Sequence, residues 1–364
     1  MKILILIKSG LESIPPLLSQ AKAASDCGHE VTIISAGSAR TTRENLESNN
    51  INTIQVYDQK AVSTIFDKIL NWYTFRKEAK KTIKNLEFDA IWLGSADTAI
   101  CMLGALPKKQ RSKSILSIFE LYDQYPIYRF LLELACSKSH AVIVPEETRA
   151  DILEVWLNLK SRPIVIPNKP YPNENITINT PRFPGSTITE LKSCGQEMVL
   201  YQGWISSTRN LRSLADAVSK SNDHFLVLMG QDIDGEVEII RKINDSVIHI
   251  PFISPPDHLE VTRMADVGII SYKKDRLNNL FCAPNKTWEY SKYGIPILSE
   301  NLPSMRYQLK NMKFGTTCDM SDAQSIISGL EEIKHNKSKF AEAGKKFYDS
   351  VDLKNMIQAM LSSI

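Results

Sequence analysis

The residues best suited to chemistry in this chain lie between Pro284 and Gly294. Proline is tolerated in the first turn of a helix and glycine is favoured just past its end, so these residues predict a short helix that leads into a buried strand. Free N–H groups and the macrodipole at the helix start would favour a phosphate near Asn285 and Lys286. Glu289, about one and a half turns further along, is placed to accept hydrogen bonds from hydroxyl groups. A diphosphate in front and a ribose behind predict a nucleotide-sugar site.

A purely structural interpretation of the same residues stays open at this point. Lys286 and Glu289 are three positions apart and could pair across one helix face. Such a pair would stabilise the helix by only about 0.2–0.5 kcal/mol. Spacing alone therefore does not separate an ion pair from a binding site.

The pattern Pro-Asn-Lys-x-x-Glu-Tyr-x-x-x-Gly-x-Pro, which begins at Pro284, resembles the donor-site helix of family 4-type glycosyltransferases with the GT-B fold. The resemblance covers essentially the whole chain and is strongest over residues 199–303. It implies that Glu289 holds the hydroxyls of the nucleotide ribose, and that Asn285 and Lys286 belong to the donor site. It also implies transfer with retention of the anomeric configuration.

A second donor segment follows the first strand predicted for the second half of the chain. Family members usually carry Gly-Arg here and a lysine a few residues later, two cations that hold the donor diphosphate. In this chain Trp204 follows Gly203 in place of the arginine, and Arg209 falls where the lysine would be. One guanidinium can still clamp phosphate oxygens, and Lys286 could supply the missing charge. Gly230 would let the backbone approach the nucleotide. The alternatives are a solvated arginine at a helix start and a simple turn glycine.

Two departures from the family pattern leave the stereochemistry open. Phe281 stands where the family has the first of two glutamates eight positions apart, and Phe119 replaces a histidine in a segment that resembles His-Glu-Leu-Tyr. Glu120 follows at the predicted end of a strand, so Glu120 or Asp123 could contact the acceptor or act as a catalytic base. A carboxylate at a strand end is also a common helix cap. Retention is favoured, and an inverting enzyme with Glu120 or Asp123 as base is the alternative.

Apolar runs that alternate with helical segments must position these residues. The run 2–8, a helical segment that ends near residue 27 and the run 30–35 predict the start of a doubly wound parallel sheet. Ser9 and Gly10 follow the first strand at its carboxyl end, where such sheets bind ligands, and we place them on the acceptor side. The chain has no Gly-x-Gly-x-x-Gly, so a dinucleotide-dependent dehydrogenase is not indicated.

The strand-like runs stop near residue 170 and restart near residue 198, beyond a segment rich in Pro and Asn. We therefore predict an α/β protein with two doubly wound Rossmann-like domains that face a cleft. The predicted parts are an acceptor-binding domain at 1–170, a linker at 171–195, a nucleotide-sugar-binding domain at 196–345 and a C-terminal helix at 346–364. The resemblance to GT-B chains implies that this helix crosses back onto the first domain.

Composition excludes several classes of protein. Apolar residues make up 43% of the chain, charged residues 23%, and the formal net charge is +3, which is a globular profile without the basic excess of nucleic-acid-binding proteins. The first apolar run is too short for a signal peptide, and no run approaches the ~20 residues of a membrane span. Six scattered cysteines without a CxxC motif predict reduced thiols and no metal site in a cytoplasmic protein.

A charged and aromatic helix is predicted between residues 64 and 86. Such a helix is usually a solvated face. The segment Lys68–Lys84 also fits docking to anionic lipid at the inner face of the cytoplasmic membrane, because each Lys or Arg near such a surface is worth about 1 kcal/mol.

The observations together predict a hexosyltransferase-type enzyme that moves a sugar from a nucleotide-sugar donor to a hydroxyl of a glycan or lipid-linked acceptor in bacterial surface polysaccharide synthesis. Arg209, Lys286 and helix N-termini would neutralise the phosphates, with no metal and no cofactor. Arg209 is therefore placed with the candidate catalytic residues. A nucleotide-sugar epimerase, which needs facing carboxylates, and a periplasmic-type binding protein, which needs a signal peptide, are the rivals.

Overall fold

The computed structural model describes residues 1–57, 64–106, 113–171 and 184–364. The chain divides into two compact units, Met1–Ile176 with Asp352–Ile364, and Thr177–Val351. The predicted linker at 171–195 lies partly outside the described residues. The two units are described one at a time.

The first unit is built on a parallel sheet. Within the described residues it has seven strands in the order β3-β2-β1-β4-β5-β6-β7. They are β1 Lys2–Ile7, β2 Glu30–Ser35, β3 Ile51–Gln55, β4 Ala90–Leu93, β5 Ser114–Ser117, β6 Ala141–Val144 and β7 Ile164–Val165. The apolar runs of β1 and β4 are continuous, because strands covered by helices on both faces bury nearly every side chain, whereas the edge strand β3 is polar and partly exposed. The helices are α1 Pro15–Asp26, α2 Arg40–Ser48, α3 Ile65–Ile83, α4 Ala96–Cys101, α5 Pro126–Cys136 and α6 Glu147–Trp156.

The second unit repeats the architecture. Its described strands follow the order β10-β9-β8-β11-β12-β13 in a second parallel sheet. They are β8 Glu197–Gln202, β9 His224–Met229, β10 Ile248–Ile250, β11 Val267–Ile270, β12 Ile297–Glu300 and β13 Gly315–Cys318. The helices are α7 Gly185–Ser193, α8 Leu211–Ser219, α9 Glu236–Arg241, α10 Leu259–Thr262, α11 Leu277–Leu280, α12 Asn285–Lys292, α13 Pro303–Met312 and α14 Ala323–Asp349.

The chain then returns to the first unit. The last helix, α15 Leu353–Ser362, packs on α1. Ile357, Met360 and Leu361 are buried in the same core as Ile5 of the first sheet. Burial of each such apolar side chain is worth roughly 1.5–3 kcal/mol, and this burial stabilises α15 against α1.

The predicted fold class, α/β with two Rossmann-like domains, is confirmed. The strand order also shows where ligands should bind. In the first sheet the order reverses between β1 and β4, and in the second between β8 and β11. Ligands of doubly wound sheets occupy the crevice outside the carboxyl ends of the strands at such a reversal. Each unit therefore offers one such place, and the predicted site residues can be located against it.

Candidate donor site

Two glycines form the floor of the site in the second unit. Gly203 follows β8 with φ 128° and Gly230 follows β9 with φ 150°, both in the region that favours glycine. A Cβ added to Gly230 would lie 1.8 Å from the carbonyl oxygen of Gly203, so no other residue fits there. The close approach at Gly230 is to Gly203 of the neighbouring loop, which makes Gly230 a support of the site.

Two cations lie above this floor and share an aromatic ring. The Lys286 ammonium is 4.2 Å from the ring centroid of Tyr201 and 5.7 Å from that of Tyr272. The Arg209 guanidinium lies 4.3 Å from the same Tyr272 ring. Burial, with the nearby Arg209 charge second, lowers the pKa of Lys286 to about 7. Two cations held around one ring repel each other unless an anion joins them, so the arrangement favours a phosphate ligand.

The loop that carries Arg209 is held by hydrogen bonds at both of its ends. Asp234 accepts hydrogen bonds from the backbone N–H of Ser207 at 3.1 Å and from its hydroxyl at 2.8 Å. Ser271, which directly follows β11, donates its hydroxyl to the Arg209 carbonyl at 2.5 Å. Asn210 then adopts a left-handed conformation, with φ 51°, before α8 begins. Arg209 is thus fixed beside the point where the strand order reverses.

Glu289 lies about one helix turn beyond Lys286 on α12, with a side chain only 12% exposed. Gln202, the last residue of β8, donates its side-chain amide to Glu289 Oε2. His258 Nε2 lies 3.3 Å from Glu289 Oε1. The hydroxyl of Thr262 donates to Gln202 Oε1 at 2.8 Å, which fixes the orientation of the amide. A carboxylate has about four lone-pair sites, so Glu289 can still accept hydrogen bonds from two ligand hydroxyls.

The start of α12 supplies further donors. Pro284 precedes the helix and no side chain caps it. The Thr287 N–H donates to the Pro284 carbonyl at 3.2 Å, so among the described residues the N–H groups of Asn285 and Lys286 are the ones of the first turn open to an acceptor. Asn285 and Lys286 are the first two helical residues, and both are partly exposed. The buried hydroxyl of Thr287 has no hydrogen-bond partner among the described residues. The helix dipole adds to the attraction for an anion.

The structure brings Gly203, Arg209, Lys286 and Glu289 together at one sheet edge, while Gly230 lies beneath and Asn285 at the helix start. Sequence reasoning missed the supporting residues. They are Tyr201, Gln202, His258, Thr262 and Tyr272. Of these, Tyr201 and Gln202 directly precede Gly203, so only they had a sequence signal. Trp204, which stands where the resemblance expects an arginine, is 66% exposed.

The predicted acceptor-side residues lie in the first unit. Ser9 is hydrogen-bonded through its hydroxyl to that of Ser13 at 2.5 Å, and Ser13 Oγ also lies 2.6 Å from the Gly10 carbonyl. Glu120 lies 3.7 Å from the buried guanidinium of Arg149. The structure places these groups but assigns no chemistry to them.

Asp123 occupies a turn shortly before α5 and is partly exposed. It and Glu120 remain alternative candidates for a base. Among the described residues, no group of three or more His, Cys, Asp or Glu side chains is arranged to hold a metal ion. Metal-independent transfer stays a prediction. Over the same residues, no helix combines the length and apolar character needed to cross a bilayer.

The sequence and the fold both match known proteins. Residues 17–168 match the model of Glycosyltransferase Family 4. HepE from Anabaena, solved with UDP and glucose, is 16% identical with a TM-score of 0.68, and the match covers 100% of both chains. A trehalose-6-phosphate protein from E. coli, bound with UDP-2-fluoro glucose, is 12% identical with a TM-score of 0.71, over 100% of this chain and 98% of that chain.

A putative UDP-N-acetylglucosamine 2-epimerase from Listeria monocytogenes is 12% identical with a TM-score of 0.63, over 100% of this chain and 96% of that chain. Among curated proteins, no match to the sequence was found. At these identities the structural matches show the fold, which transferases and an epimerase share. The family match, over residues 17–168, adds the enzyme class, a glycosyltransferase, and the predicted resemblance to family 4-type enzymes with the GT-B fold is confirmed.

Proposed function

We propose that this chain, a glycosyltransferase with the GT-B fold whose residues 17–168 match Glycosyltransferase Family 4, uses a nucleotide-sugar donor bound between Arg209, Lys286 and Glu289. The observation that carries the proposal is the pair of cations around Tyr272 beside a buried carboxylate. The cations suit a diphosphate and the carboxylate suits ribose hydroxyls. The solved relatives that contain UDP or a UDP-sugar support the same ligand class.

The donor's bond from the anomeric carbon to the diphosphate oxygen breaks during transfer, and a bond from that carbon to an acceptor hydroxyl oxygen forms. Negative charge develops on the leaving diphosphate. Arg209, Lys286 and the N–H groups at the start of α12 would stabilise that charge, which is the role of preorganised donors in catalysis. The acceptor hydroxyl gives its proton to an oxygen of the leaving phosphate, and the nucleoside diphosphate departs.

Retention of configuration is the stereochemical outcome that we propose, because the donor helix resembles that of retaining enzymes. The pairing of Glu120 with the buried Arg149 supports a structural use of that carboxylate. Proton NMR coupling constants of the product identify the anomer directly. An inverted product whose formation requires Glu120 or Asp123 would place the chain with inverting enzymes.

An exposed face of α3 suggests the class of acceptor. We propose a glycan or lipid-linked sugar of a bacterial surface polysaccharide. Phe66, Ile69, Leu70 and Tyr73 lie one helix turn apart along this face, and each is more than half exposed. The same face continues with Lys77, Lys80, Lys81 and Lys84, which are exposed as well. An apolar stripe followed by basic residues fits an anionic membrane surface, where a lipid-linked acceptor would lie.

Arg76 does not belong to this surface, although it lies in the segment predicted to dock. Its guanidinium donates to the carbonyl of Cys101 at 2.5 Å and to that of Leu103 at 3.0 Å. The side chain therefore ties α3 to the end of α4. Of the basic residues in the segment, the exposed lysines are the ones available to lipid.

One experiment tests the proposed function against its rival. The protein is incubated with a panel of nucleotide-sugars, with and without simple glycosides, and release of nucleoside diphosphate is measured. A transferase releases nucleoside diphosphate in proportion to glycoside consumed. Interconversion of nucleotide-sugars without an acceptor would identify an epimerase, and no turnover or nucleotide binding at all would refute the donor site.

A further inference from the structure

The first sheet has its own strand reversal, and an ion pair lies there that the donor site does not use. Lys8 directly follows β1, and Asp97 lies on α4, which follows β4. The Lys8 ammonium is 3.6 Å from Asp97 Oδ2. The Lys8 backbone N–H donates to the hydroxyl of Thr98 at 2.9 Å, which ties the two strand ends together. The pair therefore stands where doubly wound sheets bind ligands.

The hydrogen-bonding capacity of this group is largely unused. Lys8 is only 8% exposed, yet its ammonium makes no hydrogen bond to any described residue. It lies 5.0 Å from the ring of Trp72, whose buried indole N–H also has no acceptor among the described residues. Buried donors normally find partners, so the unpartnered indole N–H of Trp72, beside an ammonium whose ion pair with Asp97 spans 3.6 Å, points to a ligand that supplies an acceptor.

Two tyrosines hold the Asp97 carboxylate in place. Tyr128 donates its hydroxyl to Asp97 Oδ1 at 2.5 Å, and the rings of Tyr122 and Tyr128 lie 4.4 Å apart. Burial raises the pKa of both phenols well above their usual range, so both stay neutral and Tyr128 remains a donor. The Asp97 side chain is 39% exposed, so this end of the group is open to solvent.

The charges decide the class of ligand. Lys8 and Asp97 offset each other, so the group has no net charge, and an anionic ligand would gain attraction from one and repulsion from the other. A hydroxyl fits both, because it can accept a hydrogen bond from the ammonium and donate one to the carboxylate. Small-molecule sites typically combine a few convergent polar groups with apolar surfaces. Here the polar groups are the Asp97 carboxylate, the Lys8 ammonium and the buried Trp72 indole N–H, and the apolar surfaces are aromatic rings.

We propose that Lys8, Asp97 and Trp72 bind an uncharged sugar ring of the acceptor, with one sugar hydroxyl held between the Lys8 ammonium and the Asp97 carboxylate. Tyr128 is a positioning residue that holds the carboxylate. The inference rests on the proposed function, since it names the chemical class of the acceptor. It selects neutral sugars over phosphorylated sugars and sugar acids.

Saturation-transfer difference NMR on the full chain with UDP present tests the proposal. The probes are methyl glycosides of glucose, galactose, mannose and N-acetylglucosamine, set against glucose 6-phosphate and glucuronic acid. We expect binding of at least one neutral glycoside and about tenfold weaker binding in Asp97→Asn, the scale for losing a charge-assisted hydrogen bond. Because Asp97→Asn leaves Lys8 unopposed, the selectivity should also shift toward glucose 6-phosphate.

Asp151→Asn is the matched control, because Asp151 is a helical aspartate of the same unit paired with Arg162 at 2.8 Å. It should bind the glycosides as the unmodified protein does. Lys8→Met provides a second variant, and it should weaken neutral sugars without a shift toward the phosphate. Binding of no neutral glycoside, equal binding by Asp97→Asn, or a preference of the unmodified protein for the charged sugars overturns the proposal. UDP signals that persist in those cases leave the donor site intact, whereas their loss refutes the proposed function instead.

Discussion

Lys286 should make donor binding depend on pH in a way that no other predicted site residue would. Burial and the Arg209 charge lower its pKa to about 7 from the ordinary value of 10.5. A bound diphosphate would favour the charged form and raise the pKa again. Lys286 then takes up a proton when the donor binds. Affinity is therefore full below pH 7 and is lost as the pH rises through the pKa of the free protein.

The size of this effect follows from the two pKa values. If the complex restores the ordinary value of 10.5, the dissociation constant should rise roughly 50-fold between pH 7 and pH 9, because each unit of pKa difference is worth about 1.36 kcal/mol. The same linkage predicts that the free protein becomes more stable over this pH interval, since the unfolded lysine keeps more of its proton. Thermal unfolding of the protein without ligand at pH 7 and pH 9 measures this change in stability.

Isothermal titration with a nucleotide-sugar is the suitable assay, because its diphosphate carries no group that titrates near neutral pH. Lys286→Arg is the control variant, since arginine stays charged throughout and should flatten the profile while it keeps a cation in the site. Lys286→Met should bind the donor weakly, and its affinity should not change with pH. Equal affinity of the unmodified protein at pH 7 and pH 9, or an unchanged slope in Lys286→Arg, would refute the reasoning.

Three further predictions concern the rest of the site and the membrane. Glu289→Ala should raise the dissociation constant of the ribonucleotide about 10- to 100-fold, the scale for lost hydrogen bonds to a carboxylate; titration with the 2′,3′-dideoxy nucleotide is the control, and an equal loss there would reject the ribose assignment. Arg209→Ala should lower the transfer rate by roughly 10²-fold while EDTA leaves it unchanged; a rate assay in which EDTA abolishes turnover would contradict this. Leu70→Glu should reduce co-sedimentation with anionic liposomes, and added salt should do the same because screening acts over about 8 Å; Tyr307→Glu, an exposed position in the other unit, is its control, and binding that ignores lipid charge and salt would sink the idea.

Much of the fold could be predicted because its signals are local. Continuous apolar runs mark strands that are buried on both faces, and β1 begins at the residue where the sequence predicts it. β13, Gly315–Cys318, was not predicted because its Gly-Thr-Thr-Cys sequence has no apolar run. It exists because β12 offers an edge to pair with and because Gly315 fits where a Cβ would lie 2.2 Å from the Ile297 carbonyl oxygen.

The site residues also fall into those with a local sequence signal and those without one. Arg209, Lys286 and Glu289 lie in segments whose local sequence resembles a family pattern. Tyr272 has no such signal, because it reaches the two cations only through the pairing of β8 with β11. His258 likewise meets Glu289 through the packing of α10 on α12. The spacing of residues along the sequence does not identify residues that reach the site through tertiary contacts.

The replacement of an arginine by Trp204 leads to the last prediction, a rescue. Trp204 is exposed, and its carbonyl, which any residue would supply, accepts the hydrogen bond from Tyr201 at 2.8 Å. An arginine there would follow Gly203 and could reach the floor on which Lys286 now lies. If Lys286 has taken over the charge, Trp204→Arg should restore most of the donor affinity lost in Lys286→Met and add less to the unmodified protein, because the two cations would compete for the same phosphate oxygens. Titration of the two single variants and the double variant measures this coupling. Equal gains from Trp204→Arg in both backgrounds would show that the two positions act independently, and Lys286 would then not be the substitute for the missing arginine.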